Sequence, residues 1–269
     1  MSTDNLDKTA VVICTYHRTL DPKTNTDGHN TIRLFHNEEF PNFHVLFDDH
    51  HGHTEEYVSE QYGGPNVCLY NDDDFKKYGF DKPIHVNHFW GSHQNPKYFY
   101  AHFRMLTFYL KNPNYNHYWF FDDDVKFEGD LKGFLSNYSD VEDDFLVIQA
   151  FKKENYDELP NISVINRRME GSGGHWLGHC PGPGDNFKNK EKHIGSFFPI
   201  VRFSKESMEH LLKLHKEGYY GYSEGFVPTS LASDGFSVSS MMDEFNNYYK
   251  ENNNCVLRHK GSEFTWEWL

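Results

Sequence analysis

The sequence has few cysteines, no long apolar run and a shortage of positive charge, and each deficit closes off a class of protein. Its four cysteines, Cys14, Cys68, Cys180 and Cys255, are widely spaced and form no CxxC pair. That argues against a zinc ribbon and, in a chain of 269 residues, against a disulfide framework. Cys14 and Cys68 lie in apolar runs and read as buried thiols. No window approaches the ~18 apolar residues of a membrane span. The opening MSTDNLDKTAVVICTYHR has no basic region followed by a long apolar stretch. The expectation is therefore no signal peptide, no transmembrane segment and a cytoplasmic protein. Lys and Arg total 26 against 40 Asp and Glu, a formal net charge of −14. Such a chain offers little to a nucleic-acid backbone or an anionic membrane, so no nucleic-acid partner is expected. It is compatible with a site that recruits divalent cations. Internal repeats and low-complexity tracts are also lacking.

Aromatic side chains are abundant, at 17% of residues, against a modest 37% hydrophobic content overall. Phe, Tyr and Trp must therefore supply much of the core, and they are also the side chains that stack on sugars and bases. The first half alternates short apolar runs with helical spacing. TAVVICTY (Thr9 to Tyr16), FHVLFDD (Phe43 to Asp49) and NVCLYNDDD (Asn66 to Asp74) read as strands buried on both faces. KYFYAHFRMLTFYLKN (Lys97 to Asn112) reads as a helix stopped by NPN. This pattern predicts an α/β fold with a mostly parallel sheet. The acidic ends of the strands, at Asp48, Asp49, Asp72 and Asp122–Asp124, would gather at its carboxyl edge, where such sheets bind ligands.

The second half is less regular. DFLVIQAF (Asp144 to Phe151) reads as a strand. GSFFPIVRFS reads as another, an edge or bulged one because it contains Pro199. SKESMEHLLKLHKEG reads as a helix with Ser204 as N-cap and Gly218 as C-cap, and SEGFVPTSLA as a short helix opened by Ser223 and Glu224. GSGGHWLGHCPGPGD (Gly171 to Asp185) must be a loop, read as a mobile cover over a ligand.

YWFFDDDVKF (Tyr118 to Phe127) concentrates the functional question. Four aromatics run into three aspartates, and apolar residues resume at once. A solvated turn needs one Asp, and neighbouring carboxylates repel. Either water screens the repulsion or a divalent cation neutralises it; for a cation, Asp122 and Asp124 would lie on one side of an extended segment. Mg2+ or Mn2+ prefers carboxylate oxygen and keeps phosphates among its remaining ligands.

An α/β first half, a strand ending in DxD, and an acidic segment at SEGFVPTSL together resemble a GT-A-fold glycosyltransferase that uses a nucleotide-sugar donor. The resemblance spans about residues 8–262. It implies a Rossmann-like mixed sheet flanked by helices in a single compact domain over 1–269, with a donor half over about 8–130 and an acceptor half over about 131–269. It implies that Asp122, Asp124 and a C-terminal His259 hold Mn2+ or Mg2+ against the diphosphate of a UDP-sugar, and that Asp123 faces the ribose or sugar. Thr15, Tyr16 and Arg18 of ICTYHR would touch base or ribose, and Asp48 or Asp49 would accept a hydrogen bond from them. Asp72 lies on the same edge. Arg104 and Lys260 (or Arg258) would neutralise the diphosphate. Glu224 would be the general base for a saccharide or glycan hydroxyl, with Asp234 as the second candidate and Tyr219, Tyr220 and Tyr222 as a wall on which a sugar stacks.

Two other readings stay open. The histidines His44, His50, His51 and His53, or His175 and His179 with Cys180, contain good metal ligands. Neither stretch matches a zinc spacing, but with the aspartates they would suit a metal-dependent hydrolase. A non-catalytic carbohydrate-binding protein of the same fold is the other.

Overall fold

The computed structural model describes residues 7–21, 23, 26–80, 100–128, 130–152, 194–241, 256–259 and 265–266. Seven strands form one mixed sheet. They are β1 (Thr9–Tyr16), β2 (Phe43–Asp48), β3 (Asn66–Tyr70), β4 (His117–Asp122), β6 (Phe145–Lys152), β7 (Ile194–Ser204) and β8 (Val238–Ser240), in the order β3-β2-β1-β4-β7-β6-β8. A small second sheet has the order β10-β9-β5, from β5 (Val125–Glu128), β9 (Val256–His259) and β10 (Thr265–Trp266). The helices are α1 (Thr26–Asn37), α2 (Glu55–Tyr62), α3 (Asp72–Tyr78), α4 (Ala101–Lys111), α5 (Leu131–Asn137), α6 (Lys205–Lys216) and α7 (Ser223–Ser233). This is the expected α/β architecture, a mixed sheet flanked by helices.

The aromatic run of β4 explains the layering. In a strand successive side chains point to opposite faces. Tyr118 and Phe120 enter one core with residues of α3, α4, α6 and α7; Trp119 and Phe121 enter another with residues of α1, α2 and α5. All four are at most 1% exposed. Burial of each large apolar side chain contributes about 1.5–3 kcal/mol, so this one segment anchors both layers. Arg202 of β7, 2% exposed, crosses the Trp119 side and donates to the carbonyls of Tyr138, Val141 and Asp143 at 2.6, 2.7 and 3.0 Å. Its charge is thus buried among oxygens rather than left bare.

β1, β2, β3 and β4 are parallel. The chain builds outward from β1 to β3 and then returns to the other side of β1 with β4. The sheet therefore has a topological switch point between β1 and β4, with Cys14 in register with Asp122. β7 runs antiparallel to β4 and β6.

Two local expectations need correction. Of the two readings of β7, edge or bulged, the bulge holds and the edge does not: β7 is an interior strand, between β4 and β6. Pro199 fits because the β6–β7 register shifts between Val147 and Gln149, whose partners Val201 and Phe197 bracket it; the bulge removes the need for its missing N–H. The acids after β3 do not end a strand. Asn71 caps α3, accepting from the backbone N–H groups of Asp73 and Asp74, while Asp74 accepts from the N–H of Asn71. Asp72–Asp74 are the first turn of that helix, where negative charge complements the helix dipole. At the other expected caps, Ser204 accepts from Ser207 N at 3.1 Å, as the sequence predicts. α6 closes through Glu217, with Gly218 following at φ +88.

Candidate functional site

The carboxyl edge of the parallel strands is where the chemistry gathers. β1 delivers Thr15 and Tyr16, β2 delivers Asp48 and Asp49, and β4 delivers Asp122 and the turn Asp123–Asp124 before β5 begins. In β–α–β units the intervening helix returns antiparallel to the strands, so α4 starts at this same edge. Its first turn carries Arg104, which donates through Nη2 to Asp122 Oδ1. The two side chains are 20% and 29% exposed, so the pair is only partly desolvated. Burial works against the guanidinium charge, but Asp122, Cys14, Tyr70 and Asp123 together hold it firmly protonated. The Cys14 thiol is pushed up to about 12, chiefly by burial, and is inert.

The three aspartates have three different environments. Asp122, shared with Arg104, is half-buried, and so is Asp124. Asp123 is buried, at 8% exposure, and accepts from Thr15 Oγ1 at 2.7 Å. Behind Thr15 stand Thr19 Oγ1 at 2.7 Å and then the Tyr62 hydroxyl, 2.5 Å from Thr19. Thr15, Thr19 and Tyr62 are at most 3% exposed, so Asp123 ends a buried row of hydroxyls drawn from β1, the turn after it and α2. Burial pushes the Asp123 carboxyl up to about 6; the Thr15 hydrogen bond lowers it, the adjacent Asp122 and Asp124 raise it, and Arg104 lowers it. Asp123 therefore reaches into the fold, whereas the resemblance implies that it faces a ribose or sugar. Sequence reasoning missed Thr19 and Tyr62, which carry no local motif.

On the β1–β2 side, Tyr16 is one of the exposed large side chains, at 37%. Asp48 pairs with His50 at 3.2 Å and Asp49 with His53 at 2.7 Å. Burial works to raise the Asp49 carboxyl, but hydrogen bonds from His53 and from the backbone N–H groups of His51 and His53 leave it below its ordinary value. The rings of His17 and His51 meet edge to face at 5.0 Å. Asp72 is at the start of α3 and exposed. The side chain of Arg18 is not among those described.

Glu224 lies at the same edge of the sheet. β7 runs against β4, so α6 climbs back toward the carboxyl edge and α7 begins there. Glu224 is in the first turn of α7, 8% exposed, and accepts from the Tyr222 hydroxyl at 2.7 Å. The Ser196 hydroxyl donates to its backbone carbonyl at 2.9 Å. Tyr222 thus engages Glu224 itself, and the Tyr219 carbonyl engages His215 at 2.9 Å. Asp234 is not brought to Glu224. It follows the far end of α7, about 15 Å along the helix, and pairs with His210 at 2.7 Å.

A divalent cation fits the chemistry of the donor set at Asp122 and Asp124, which are hard oxygen ligands. Among the described residues no three His, Cys, Asp or Glu side chains form a ready metal-binding cluster. β9 pairs antiparallel with β5 so that His259 is in register with Val125, the residue after Asp124. The side chain of His259 is not described, and Lys260, His175, His179, Cys180 and the Gly171–Asp185 loop lie outside the described residues. Among the described residues no helix is long and apolar enough to cross a membrane.

No protein-family model matches the sequence, and no curated protein matches it. Among solved structures, the chain is similar to mouse xyloside xylosyltransferase 1 in its apo form, with 9% identity and a TM-score of 0.45 over 86% of this chain and 84% of that one. It is similar to a putative glucose-1-phosphate thymidylyltransferase from Bacillus anthracis, with 8% identity and a TM-score of 0.45 over 87% of each chain. It is also similar to core-mannan synthase A from Aspergillus fumigatus in a Mn/GDP form, with 11% identity and a TM-score of 0.41 over 93% of this chain and 74% of that one. At these scores the likenesses are weak, and the functional reading rests on this chain's own residues.

Proposed function

We propose that the chain is a metal-dependent glycosyltransferase of the GT-A type, moving a sugar from a nucleotide diphosphate donor, UDP-linked, to a hydroxyl of a saccharide or glycan. The observation that carries this reading is the meeting of Asp122–Asp124 with Thr15, Tyr16, Asp48 and Asp49 at the β1/β4 switch point, the place where open α/β sheets bind their ligands.

Each residue then has a task. Asp122, Asp124 and His259 would hold Mn2+ or Mg2+, which when bound neutralises charge on the diphosphate. Tyr16 offers an exposed ring to a base, and Asp48 and Asp49 offer carboxylate acceptors to base or ribose. Arg104, paired with Asp122 at this edge, would with Lys260 add positive charge near the leaving diphosphate. We read Asp123 as the internal anchor of the triplet, since its Oδ2 is already engaged by Thr15. Glu224, shielded and oriented by Tyr222, would take the proton from the attacking hydroxyl. We omit Asp234 from the site, on its position at the far end of α7.

The test is a screen of UDP-, GDP- and CMP-sugars for nucleotide release with and without Mn2+. Metal-dependent release from a UDP-sugar is the expected result. Phosphoester or amide hydrolysis without any nucleotide-sugar use would favour the hydrolase reading. Tight sugar binding with no release from any donor would leave a binding protein.

A further inference from the structure

Away from the aspartate cluster, two imidazoles and a hydroxyl form a buried row joining three helices. The His102 side chain, fully buried, approaches Ser223 Oγ through Nδ1 at 2.8 Å and His215 Nε2 through Nε2 at 3.1 Å. His215 Nδ1 approaches the carbonyl oxygen of Tyr219 at 2.9 Å. Phe103 and Phe226 pack against both imidazoles, and Phe80 also packs against His215.

One end of the row fixes the direction of the rest. A carbonyl only accepts, so His215 carries its proton on Nδ1 and presents Nε2 as an acceptor. His102 must then donate from Nε2, which leaves its Nδ1 as an acceptor, and Ser223 must donate to it. Both rings are neutral in this arrangement. Burial lowers both imidazoles, His215 to about 4 and His102 well below its ordinary value, which agrees with the geometry.

The row also solves a capping problem. The first N–H groups of a helix have no partner inside it. Neither α4 nor α7 is capped by the side chain of its own N-cap residue, Tyr100 or Tyr222. Ser223 Oγ instead accepts from the backbone N–H of His102 at 3.3 Å, across 121 residues of sequence, while donating to the same residue's ring. The starts of α4 and α7 are thereby joined. Two residues on, α4 carries Arg104, the partner of Asp122; next to Ser223, α7 carries Glu224.

We propose that His102 is a positioning residue for Glu224: through Ser223, and braced by His215, it fixes the first turn of α7 against the first turn of α4 and so sets Glu224 relative to the Asp122 edge. This rests on the reading of Glu224 as the base that activates the acceptor. His102 touches no substrate in this role; it acts through Ser223.

The test compares Ser223→Ala, His102→Leu, His102→Asn and Glu224→Gln in full-length protein, with steady-state kinetics on the UDP-sugar from the screen, thermal melting, and 15N NMR of the histidine rings. The Asn carboxamide oxygen stands near the place of Nδ1, so it still accepts from Ser223. Ser223→Ala and His102→Leu should lower kcat about ten- to a hundredfold with the donor KM unchanged, the signature of a displaced reacting group. His102→Asn should recover most of that loss. The NMR spectra should show the Nε2–H tautomer for His102 and Nδ1–H for His215. If Glu224→Gln is inactive while Ser223→Ala and His102→Leu keep kcat within about twofold of the parent, the positioning role is wrong and the base assignment stands. If Glu224→Gln is fully active, the base assignment itself falls. An Nδ1–H tautomer at His102 would overturn the relay whatever the kinetics, and guards against a variant that fails to fold.

Discussion

Asp123 and Glu224 are both buried carboxylates at the same sheet edge, each accepting from a hydroxyl at 2.7 Å, yet they are held in opposite ways. The partner of Asp123 is Thr15, 108 residues away, reached because β1 and β4 are neighbours in the sheet. The partner of Glu224 is Tyr222, two residues away, and the turn that carries both is fixed by a helix-to-helix contact at Ser223. The aspartate cluster is therefore as rigid as the central sheet. The position of Glu224 depends on how α7 packs against α4 and α6. On the proposed reading, a rigid cluster would suit a site that holds a diphosphate in one place, and a base carried on α7 could be adjusted to an acceptor without disturbing it.

The comparison can be broken at several points, the largest effects on activity first and the effects on stability after them. Glu224→Gln should reduce sugar transfer by about 10^2–10^4-fold, as expected for loss of a general base, with little change in melting temperature, because the amide still accepts from Tyr222. Asp124→Asn should lower metal-dependent nucleotide release by roughly a hundredfold and again leave folding intact. Arg104→Leu acts on stability. It leaves Asp122 without its partly buried counter-charge, and a loss of about 1–3 kcal/mol is expected, below the 3–5 typical of fully buried pairs. If Asp122 is a metal ligand, Mn2+ should stabilise this variant more than the parent in thermal melts, since a cation then replaces the missing guanidinium. Equal stabilisation of the two would count against Asp122 as a ligand. Thr15→Val removes a donor to a buried carboxylate and should cost about 1.5–3 kcal/mol by denaturant unfolding, without the kcat loss expected of Ser223→Ala.

A pH dependence of stability is expected as well. Burial lowers His44, His117 and His215 to about 4 in the folded protein. In the unfolded chain these groups bind protons near their ordinary value of 6.5. Between about pH 6.5 and 4 the unfolded state thus holds more protons, and stability must fall as the pH falls through that window. Urea unfolding at pH 7 and at pH 4.5 measures it, and His44→Asn should flatten the slope.

The sequence made the acidic edge of the sheet legible for a physical reason. Four consecutive aromatics can all be buried only in a strand with cores on both faces, and a triplet of acids after such a strand has a defined place to emerge. Ser204 as a cap was equally readable, because capping chemistry is local; Ser223 and Glu224 do open α7, but Ser223 bonds to His102 of α4 rather than capping its own helix. The signal for Asn71 as a cap was also present, in the spacing of Asn71 and Asp74, but the preceding apolar run suggested a strand ending in acid. Pro199 suggested an edge or a bulged strand because sequence shows the missing N–H; the structure takes the bulge, in an interior strand. The hydroxyl row behind Asp123 and the relay from Ser223 to His215 were invisible for a different reason. Apart from Thr15–Thr19, four residues apart, their contacts span 43 to 121 residues and depend on which elements the sheet brings together, and no spacing rule encodes that.

The central claim is that Asp122 and Asp124 form a cation-dependent site for a nucleotide diphosphate. Isothermal titration of UDP into the folded protein, with and without Mn2+, tests it most directly when the parent and Asp124→Asn are compared at matched thermal stability. The account predicts UDP binding that requires Mn2+ in the parent and is lost in Asp124→Asn. Binding that is indifferent to Mn2+, or is retained by a folded Asp124→Asn, would contradict it.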